Sequence, residues 1–271
     1  MSIIETIRKR RSVRTYNGEA LSDEHAGLIL DYIAGLQAPF GVKARIRLIR
    51  THAAGGLKPV KLGTYGWIDG ARDYLALIYE EGPLAEEGAA FMFEQAILYC
   101  TGLGVGTCWL GGSFSRKDFG RQVTPAPGEK LRIVSPAGYA DDRKRFIETY
   151  IVGAEKNHRT RKPFEANFFH RDFSTPLTET DAGIYALPLE MVRIAPSANN
   201  TQPWRVLLDG RTLHFYRTFS YGFSSIDTGI ALCHFGETCR ETGIAGHFEI
   251  LDGAPPNKNA RYTISWTAGA D

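Results

Sequence analysis

An uninterrupted apolar run, Tyr74-Leu-Ala-Leu-Ile-Tyr79, most strongly constrains the fold of this 271-residue chain. A run of this length and composition is typical of a strand buried on both faces in the middle of a sheet. A helical pattern follows from about Ala85 to Thr101, and Gly102 or Gly104 is suited to end it. We therefore expect a central strand followed directly by a long helix.

Other segments of the first half show helix and strand signals. Ser2 and Glu5 form a capping-box pattern, so a first helix should begin there and end near Ser12. A second helix should begin at Ser22, because the acidic residues that follow favour a helix N-terminus. The remaining predictions are strands at Ala44–Arg50 and Arg132–Tyr139, and helical sequence from Arg143.

The second half repeats these signals. Thr178 is expected to cap a helix that reaches about Ile194, with Pro188 ending or kinking it. The dipeptide Asp209-Gly210 predicts a tight hairpin between two strands. The strands and helix predicted around and after it are Trp204–Leu208, Thr212–Arg217, a helix Asp227–Thr242, and strands His247–Leu251 and Ala260–Trp266.

Composition excludes several classes of protein. Lys plus Arg number 32 against 30 Asp plus Glu, so the net charge of +2 gives no reason to expect a nucleic-acid partner. No apolar run reaches the ~20 residues that cross a bilayer, so we expect no membrane association. The basic residues at the N-terminus follow an apolar stretch, which is the wrong order for a secretory signal. The four cysteines do not form a disulfide framework, and a cytoplasmic location is expected.

One arrangement of cysteines invites a metal-site interpretation. Cys233-His234 and Cys239 lie close together in sequence, but zinc sites usually show tighter, paired spacings. We favour a helix whose small thiols pack inward.

A faint internal repeat indicates two related halves. Leu21-Ser-Asp-Glu-His-Ala-Gly27 aligns with Leu177-Thr-Glu-Thr-Asp-Ala-Gly183, and each copy leads through a helix to an Ala-Pro. The helix that ends at Gly104 also resembles the one that ends at Gly243. Chance similarity of capped amphipathic helices is the alternative; otherwise the halves pack about a pseudo-twofold axis, like a homodimer fused into one chain.

Two basic clusters are candidates for binding an oxygen-rich anion. Arg10, Arg11, Ser12 and Arg14 combine guanidinium groups with a hydroxyl, which suits a phosphate. Arg159-Thr-Arg-Lys-Pro163 is the second cluster. Each alone is equally consistent with a solvated basic surface.

Two further segments favour a flat polar ligand. Pro196-Ser-Ala-Asn-Asn-Thr-Gln-Pro-Trp204 has prolines near both ends and presents the polar side chains Ser197, Asn200 and Gln202. Gly102-Leu-Gly-Val-Gly-Thr-Cys-Trp-Leu-Gly-Gly112 allows close backbone approach. The glycines follow a helix rather than a strand, so they are not a dinucleotide-binding fingerprint.

Together these four segments resemble the FMN-dependent nitroreductase family, in order and over most of the chain. The layout is similar to nitroreductases in which two half-subunits are fused. The resemblance implies an α+β fold with antiparallel or mixed central sheets flanked by helices. It implies two halves that form one compact unit. Residues 1–170 carry the flavin phosphate and N5 side, and residues 171–271 lend the polar loop. 

The resemblance also assigns the FMN-binding residues, with no catalytic side chain and no metal ligand. The basic segment and the late basic pair match the family's phosphate-binding positions, Lys162 lies close by, and the glycine-rich stretch around Trp109 matches the backbone near flavin N5. The polar loop matches the family's Pro-Ser-Ser-x-Asn-x-Gln-Pro-Trp loop, except that Ala198 replaces a Ser. The implied residues are Arg10, Arg11, Ser12, Arg14, Leu110, Gly111, Gly112, Arg159, Arg161, Pro196, Ser197, Ala198, Asn200 and Gln202.

Each half lacks part of the family's pattern. Ala38-Pro-Phe-Gly41 stands where the first half should carry the polar loop, and the second half has neither basic nor glycine-rich segment. We therefore expect one complete FMN site per chain, and a monomer is plausible. The segment Lys61–Gly66 is a candidate to meet the pyrimidine edge of the flavin, and no residue within it is assigned as a ligand.

The implied activity is ping-pong transfer of a hydride from NAD(P)H through FMN to a nitroaromatic or quinone-type acceptor, a small aromatic molecule. Two alternatives stay open: a flavin-binding protein without turnover, used for storage or sensing, and a protein that has lost the site and serves for partner binding.

Overall fold

The computed structural model describes residues 2–51, 60–143, 160–219 and 222–269, which fall into two units. The four-stranded unit comprises Lys9–Ala85 and Met92–His158. The six-stranded unit comprises Met1–Arg8, Glu86–Phe91 and Arg159–Asp271. Each is described by itself below.

The four-stranded unit is built on an antiparallel sheet with the strand order β1-β2-β4-β3. The strands are β1 (Ala44–Arg50), β2 (Asp73–Glu80), β3 (Gly106–Thr107) and β4 (Glu129–Gly138), and the first four helices of the chain are α1 (Ile3–Lys9), α2 (Asp23–Gly35), α3 (Ala85–Gly102) and α4 (Arg116–Val123). Unit boundaries fall within α1 and α3.

Strand β2 confirms the prediction from the apolar run. It pairs with β1 on one side and β4 on the other, and every residue from Asp73 to Tyr79 is buried. The Asp73 carboxylate is fully buried and accepts the Leu21 N–H at 2.6 Å, while Arg50 Nε lies 3.6 Å from its other oxygen. The charge at the start of the strand is therefore compensated rather than left unpaired.

The six-stranded unit carries a mixed sheet with the order β6-β5-β7-β8-β10-β9. Its only parallel pairing in the described chain joins β5 to β7. The strands are β5 (Phe168–His170), β6 (Asp172–Pro176), β7 (Trp204–Asp209), β8 (Thr212–Thr218), β9 (Gly246–Glu249) and β10 (Ala260–Ala268), and the helices are α5 (Ala186–Arg193) and α6 (Ser224–Thr242). Two antiparallel or mixed sheets with helices confirm the predicted α+β class.

The hairpin predicted at Asp209-Gly210 is confirmed. Strands β7 and β8 pair in antiparallel register from Trp204↔Arg217 to Asp209↔Thr212. Gly210 adopts φ +59°, a conformation that glycine reaches without a Cβ penalty. The turn therefore follows directly from the two residues that signalled it.

Helix α6 is the most buried helix of the six-stranded unit. Cys233 and Cys239 are fully buried thiols on this helix and form no disulfide, which confirms that they pack inward. A Cβ on Gly229 would lie 2.2 Å from the Glu87 carbonyl oxygen, so the glycine lets the two backbones approach closely. Among the described residues, no group of three metal-ligating side chains is arranged to hold an ion.

Two helix predictions were wrong in extent. Helix α1 ends at Lys9 rather than near Ser12, because Ser12 pairs with Thr107 in a strand-like bridge. Thr178 caps only one turn, accepting the Asp181 N–H at 3.1 Å, and Gly183 at φ +55° interrupts the continuation to Ile194. 

Proline does not end or kink the helix that follows. Pro188 lies in the first turn of α5, where a backbone N–H has no partner within the helix. Strands β5 and β6 were not predicted, since their sequences carry no clear alternation.

Other predictions are not tested by the described part of the structure. The helical sequence expected from Arg143 onward falls on residues 144–159, outside the described residues. The related halves with a boundary at residue 170 and the pseudo-twofold axis stay predictions. No helix in the described part of the chain is long and apolar enough to cross a membrane.

Candidate functional site

The basic segment after α1 is held as an added strand of the four-stranded unit. Ser12 forms a parallel bridge with Thr107, and the Val13 N–H donates to the Thr107 carbonyl at 2.8 Å. Thr15 bridges Asp69 in the same way, and the Asp69 N–H donates to the Arg14 carbonyl at 3.0 Å. The structure therefore brings the predicted basic and glycine-rich segments side by side.

Three glycines leave room for this segment. A Cβ on Gly106 would lie 2.8 Å from Val13 Cγ2, and one on Gly138 would lie 3.1 Å from the Tyr16 ring. A Cβ on Gly70 would lie 2.2 Å from the Tyr16 carbonyl oxygen. Contacts as short as those at Gly106 and Gly70 would force the segment to move, and the contact at Gly138 would require the Tyr16 ring to give slightly.

Alternation along the segment sets which side chains are accessible. Val13 is buried against Gly106, and Tyr16 is fully buried with its hydroxyl donating to the Val13 carbonyl at 2.7 Å. Ser12 and Arg11 are exposed, and Arg14 is half-buried. In a strand, residues 12 and 14 project to the face opposite residue 13. The exposed side therefore carries the Ser12 hydroxyl and the Arg14 guanidinium, and exposed Arg11 lies directly before them in the chain.

The glycine-rich stretch turns away from the sheet next to this face. Leu110 exchanges two backbone hydrogen bonds with Val134, of 2.9 and 3.1 Å, which fixes the stretch before the turn. A Cβ on Gly112 would meet no atom of the described chain within 4 Å. Among the described residues, no hydrogen-bond acceptor is paired with the N–H of Gly111 or Gly112. The backbone here is open to a ligand.

A buried carboxylate that sequence reasoning missed connects the two segments. Glu94 on α3 is fully buried and accepts the Trp109 indole N–H at 2.8 Å. Burial lowers the pKa of the Arg10 guanidinium, and the Glu94 charge opposes that shift. The buried charge of Glu94 therefore acts on Arg10, whereas Arg11 is exposed. A single acidic residue within the apolar sequence Phe91-Met-Phe-Glu-Gln-Ala-Ile-Leu98 was the available signal.

The predicted polar loop of the six-stranded unit has a strained backbone. Asn199, Asn200 and Gln202 have φ values of +51°, +56° and +49°. Non-glycine residues in this region persist only where surrounding contacts hold them. Within the loop, the Gln202 N–H donates to Ser197 Oγ at 2.9 Å. Such a cluster of left-handed residues marks a loop built for a specific shape.

The segment at Arg161 and Lys162 supplies those holding contacts. Arg161 donates to Asn200 Oδ1 at 2.9 Å and to the Ile194 carbonyl at 3.1 Å. The Lys162 N–H donates to Gln202 Oε1 at 2.8 Å, and its Nζ donates to the Thr201 carbonyl at 2.8 Å. Gln202 is only 3% exposed. These predicted ligands are engaged with one another, and Arg159 lies outside the described residues.

A second buried carboxylate that sequence reasoning missed lies under this loop. Asp227, in the first turn of α6, is 3% exposed and accepts the Ala198 N–H at 2.9 Å. Burial raises the pKa of Asp227 to about 7, and the Ala198 N–H partly opposes that shift. An aspartate in the first turn of a helix, just before the apolar run Ile230-Ala-Leu-Cys233, was the signal in the sequence.

The segment Lys61–Gly66 adjoins the residues after the glycine-rich stretch. The Ser115 N–H donates to the Gly63 carbonyl at 2.8 Å. Tyr65 is exposed at φ +48°, and Gly66 follows at φ +78°, forming a tight turn closed by the Trp67 N–H on the Thr64 carbonyl. The structure does not assign a ligand contact to this turn.

Comparison with known proteins decides the family. The sequence profile of the family described as "Putative TM nitroreductase" matches residues 2–238, which is most of the chain. The chain belongs to this nitroreductase family. No curated protein matches it.

One solved structure agrees with the nitroreductase assignment at the level of the fold. The crystal structure of a "putative nitroreductase" from Thermotoga maritima is 22% identical, covers 98% of this chain and 94% of that one, and has a TM-score of 0.61. A nitroreductase family protein from Clostridium difficile is 18% identical over 60% of this chain and 94% of that one, with a TM-score of 0.44. A nitroreductase with bound FMN from Bacteroides fragilis is 16% identical over 55% and 94%, with a TM-score of 0.42.

Proposed function

We propose that this nitroreductase-family protein is an FMN-dependent oxidoreductase that transfers a hydride from NAD(P)H to a nitroaromatic or quinone-type acceptor. The single observation that carries the proposal is the bridge between Ser12 and Thr107. It aligns the basic segment with the glycine-rich stretch on one unit. Two different binding chemistries, one for an anion and one for a flat ring, therefore come from adjoining backbone.

The basic face fits the phosphate of FMN. Arg11 and Ser12 are exposed, and Arg14 projects to the same side as Ser12. Guanidinium groups form paired, charge-assisted hydrogen bonds to phosphate oxygens, and the serine hydroxyl adds a donor. We assign the phosphate to Arg11, Ser12 and Arg14. Arg10 feels the charge of the buried Glu94, so we leave it out of the phosphate assignment.

The glycine-rich stretch fits a flat ring. Leu110 offers an apolar side chain fixed by its pairing with Val134. The backbone N–H groups of Gly111 and Gly112 are donors suited to the ring, and the space beside Gly112 is open. When bound, FMN supplies the redox chemistry between nicotinamide and acceptor. The contribution of these residues is to orient the ring and to stabilise negative charge on it through the N–H groups.

The remaining predicted ligands stay predictions. Arg159, Arg161, Pro196, Ser197, Ala198, Asn200 and Gln202 were expected to contact the same FMN. The hydrogen bonds around Gln202 support a role in shaping the loop, since both ends of its amide are used there. One FMN per chain, function as a monomer and a cytoplasmic location likewise stay predictions.

An absorption spectrum followed by anaerobic titration tests the proposal. Purified protein, reconstituted with FMN and freed of excess, should show the flavin spectrum and should bleach when NADH or NADPH is added. Reoxidation by a quinone or nitroaromatic should restore the absorbance. Retention of FMN without bleaching by either nucleotide would favour the storage or sensing alternative. Failure to retain FMN would contradict the proposal and favour a scaffold without a cofactor.

A further inference from the structure

The buried carboxyl of Asp227 has no part in the function proposed so far. It lies in the first turn of α6, and its Oδ1 accepts the Ala198 N–H at 2.9 Å. Burying a carboxylate costs folding free energy even with a hydrogen-bond donor nearby, so packing alone gives no reason for it. Perturbed carboxyl groups of this kind concentrate at functional sites.

The hydrogen bond from Ala198 falls at the most constrained point of the polar loop. Ala198 begins the turn whose next residues, Asn199 and Asn200, have left-handed backbone conformations. The Ser197 carbonyl accepts the Asn200 N–H at 3.0 Å, and the Ala198 carbonyl accepts the Thr201 N–H at 3.1 Å. Fixing the Ala198 amide therefore fixes the first residue of this turn. 

Asp227 and the Arg161–Lys162 segment hold different parts of the loop. Asp227 holds the beginning through Ala198, whereas Arg161 and Lys162 hold the end through Asn200 and Gln202. The anchor at the end consists of the Arg161 side chain, the Lys162 side chain and the Lys162 backbone N–H. The anchor at the beginning is a carboxyl group, which can gain or lose a proton.

We propose that Asp227 is a positioning residue whose ionised carboxylate holds the Ser197–Ala198 backbone in its cofactor-binding shape. Proton uptake by Asp227, with the carboxyl still buried beneath the loop, would weaken the hydrogen bond from Ala198 and so loosen the loop. The inference rests on the proposed FMN function for its consequence, but not for the anchoring itself. A charged acceptor forms a stronger hydrogen bond to an amide than a neutral one does. The rise of the Asp227 pKa to about 7 would set the change near neutral pH.

Charged groups on the elements around α6 pair with one another, and burial and the Ala198 N–H are the causes of the Asp227 pKa shift. Glu87, on the part of α3 that approaches Gly229, lies 3.5 Å from Arg217 Nε on β8. Glu190 of α5 pairs with Arg193 at 2.5 Å, and on α6 itself the buried His234 lies 2.9 Å from the Met191 carbonyl, while Glu237 pairs with Arg240. Across the loop are the cations already described, Arg161 and Lys162.

The pH dependence of global unfolding, which exposes the Asp227 carboxyl to water, is a separate test of this group. The pKa of Asp227 rises from an ordinary value of 3.8 to about 7 on folding, so the folded chain binds the proton more tightly than the unfolded chain. Folding stability from this group is therefore greatest at low pH and is lost as the pH rises toward 7. Asp227→Asn, which keeps an oxygen acceptor but cannot ionise, should raise the melting temperature at pH 8 and change it little at pH 4.

Amide NMR of alanine-labelled protein tests the anchoring directly and needs no FMN. The Ala198 resonance, assigned with Ala198→Gly, should shift with a midpoint near pH 7 in the wild-type chain. It should not titrate in Asp227→Asn, and it should titrate normally in the control Asp252→Asn, which removes an exposed carboxyl. A resonance that stays constant from pH 5 to 9, or that titrates equally in Asp227→Asn, would overturn the proposal.

Fluorescence titration of FMN tests the consequence. The FMN affinity of the wild-type protein should fall about threefold or more between pH 8 and 6. The reason is that protonation of Asp227 removes part of the free energy of one charged hydrogen bond that holds the loop. The change should be absent in Asp227→Asn. An Ala198 titration with a pH-independent FMN affinity would overturn the positioning role. Absence of FMN binding at any pH would refute the proposed function, and the Ala198 resonance would still decide whether Asp227 anchors the loop.

Discussion

The two candidate binding regions use polar side chains in opposite ways. On the four-stranded unit, glycines leave room for the backbone of the basic segment, and the side chains of Arg11 and Ser12 are exposed. On the six-stranded unit, polar side chains themselves hold the backbone, and the Gln202 amide makes its hydrogen bonds within the loop and to Lys162. A density of polar residues in a motif therefore does not indicate which of them face a ligand. Exposure and hydrogen-bond partners do.

The comparison makes different variants informative in each region. Substitutions of side chains on the basic face should weaken FMN binding and leave folding unchanged. Substitutions in the polar loop should weaken folding first. The following predictions are ordered by the size of the expected effect.

The largest effect on folding is expected at Gly70, where the neighbouring backbone leaves no space for a side chain. In Gly70→Ala, the new Cβ would lie 2.2 Å from the Tyr16 carbonyl oxygen at φ +76°. We expect the free energy of unfolding to fall by about 3 kcal/mol or more, because a backbone clash adds to a left-handed strain of about 1 kcal/mol. Urea unfolding measures this change.

Gly18→Ala is the matched control for that substitution. Gly18 also has a positive φ, of +86°, but its Cβ would meet nothing within 4 Å. A loss of about 1 kcal/mol is expected there. Equal losses in the two variants would show that conformational strain, rather than the fit of the basic segment against Gly70, dominates.

An intermediate effect is expected in the polar loop. Gln202→Ala removes the acceptor of the Lys162 N–H in a nearly buried position. The free energy of unfolding should fall by about 1–3 kcal/mol, the cost of leaving a buried donor unsatisfied. Gln122→Ala, at an exposed position of α4, should stay within about 0.5 kcal/mol of wild type. A stable Gln202→Ala that binds FMN weakly would instead make Gln202 a direct ligand.

The smallest effect on folding is expected on the basic face. Arg11→Gln should leave the free energy of unfolding within about 0.5 kcal/mol of wild type, since Arg11 is exposed. Its FMN dissociation constant should rise about tenfold or more, because charge-assisted hydrogen bonds contribute about 1.5–3 kcal/mol. Flavin fluorescence titration gives the constant, and exposed Arg121→Gln controls for general charge. Equal affinities for the two variants would remove Arg11 from the site.

Much of the local structure could be predicted from the sequence because its signals are local. The Tyr74–Tyr79 run became β2, and Asp209-Gly210 became a hairpin turn. Helix α1 was predicted too long because its end depends on a distant partner, Thr107. Thr178 and Gly183 illustrate a different limit, since two local signals conflict: a helix cap at Thr178 and a left-handed glycine five residues later.

The site was predictable in its motifs but not in its division of roles. Both basic clusters read alike in sequence, yet Arg11 is exposed whereas Arg161 is bonded to Asn200. Buried carboxyls were missed because Glu94 and Asp227 look like ordinary helix residues until their partners are known. Those partners lie 15 and 29 positions away along the chain.

Comparing FMN with riboflavin tests the central claim most directly, because the two ligands differ only by the phosphate that the basic face is proposed to bind. Wild-type protein should bind FMN at least about tenfold more tightly than riboflavin, from charge-assisted hydrogen bonds to the phosphate. In a protein carrying both Arg11→Gln and Arg14→Gln, the two dissociation constants should become similar. Equal affinity of the wild-type chain for both ligands, or a preference for FMN that survives both substitutions, would contradict the account.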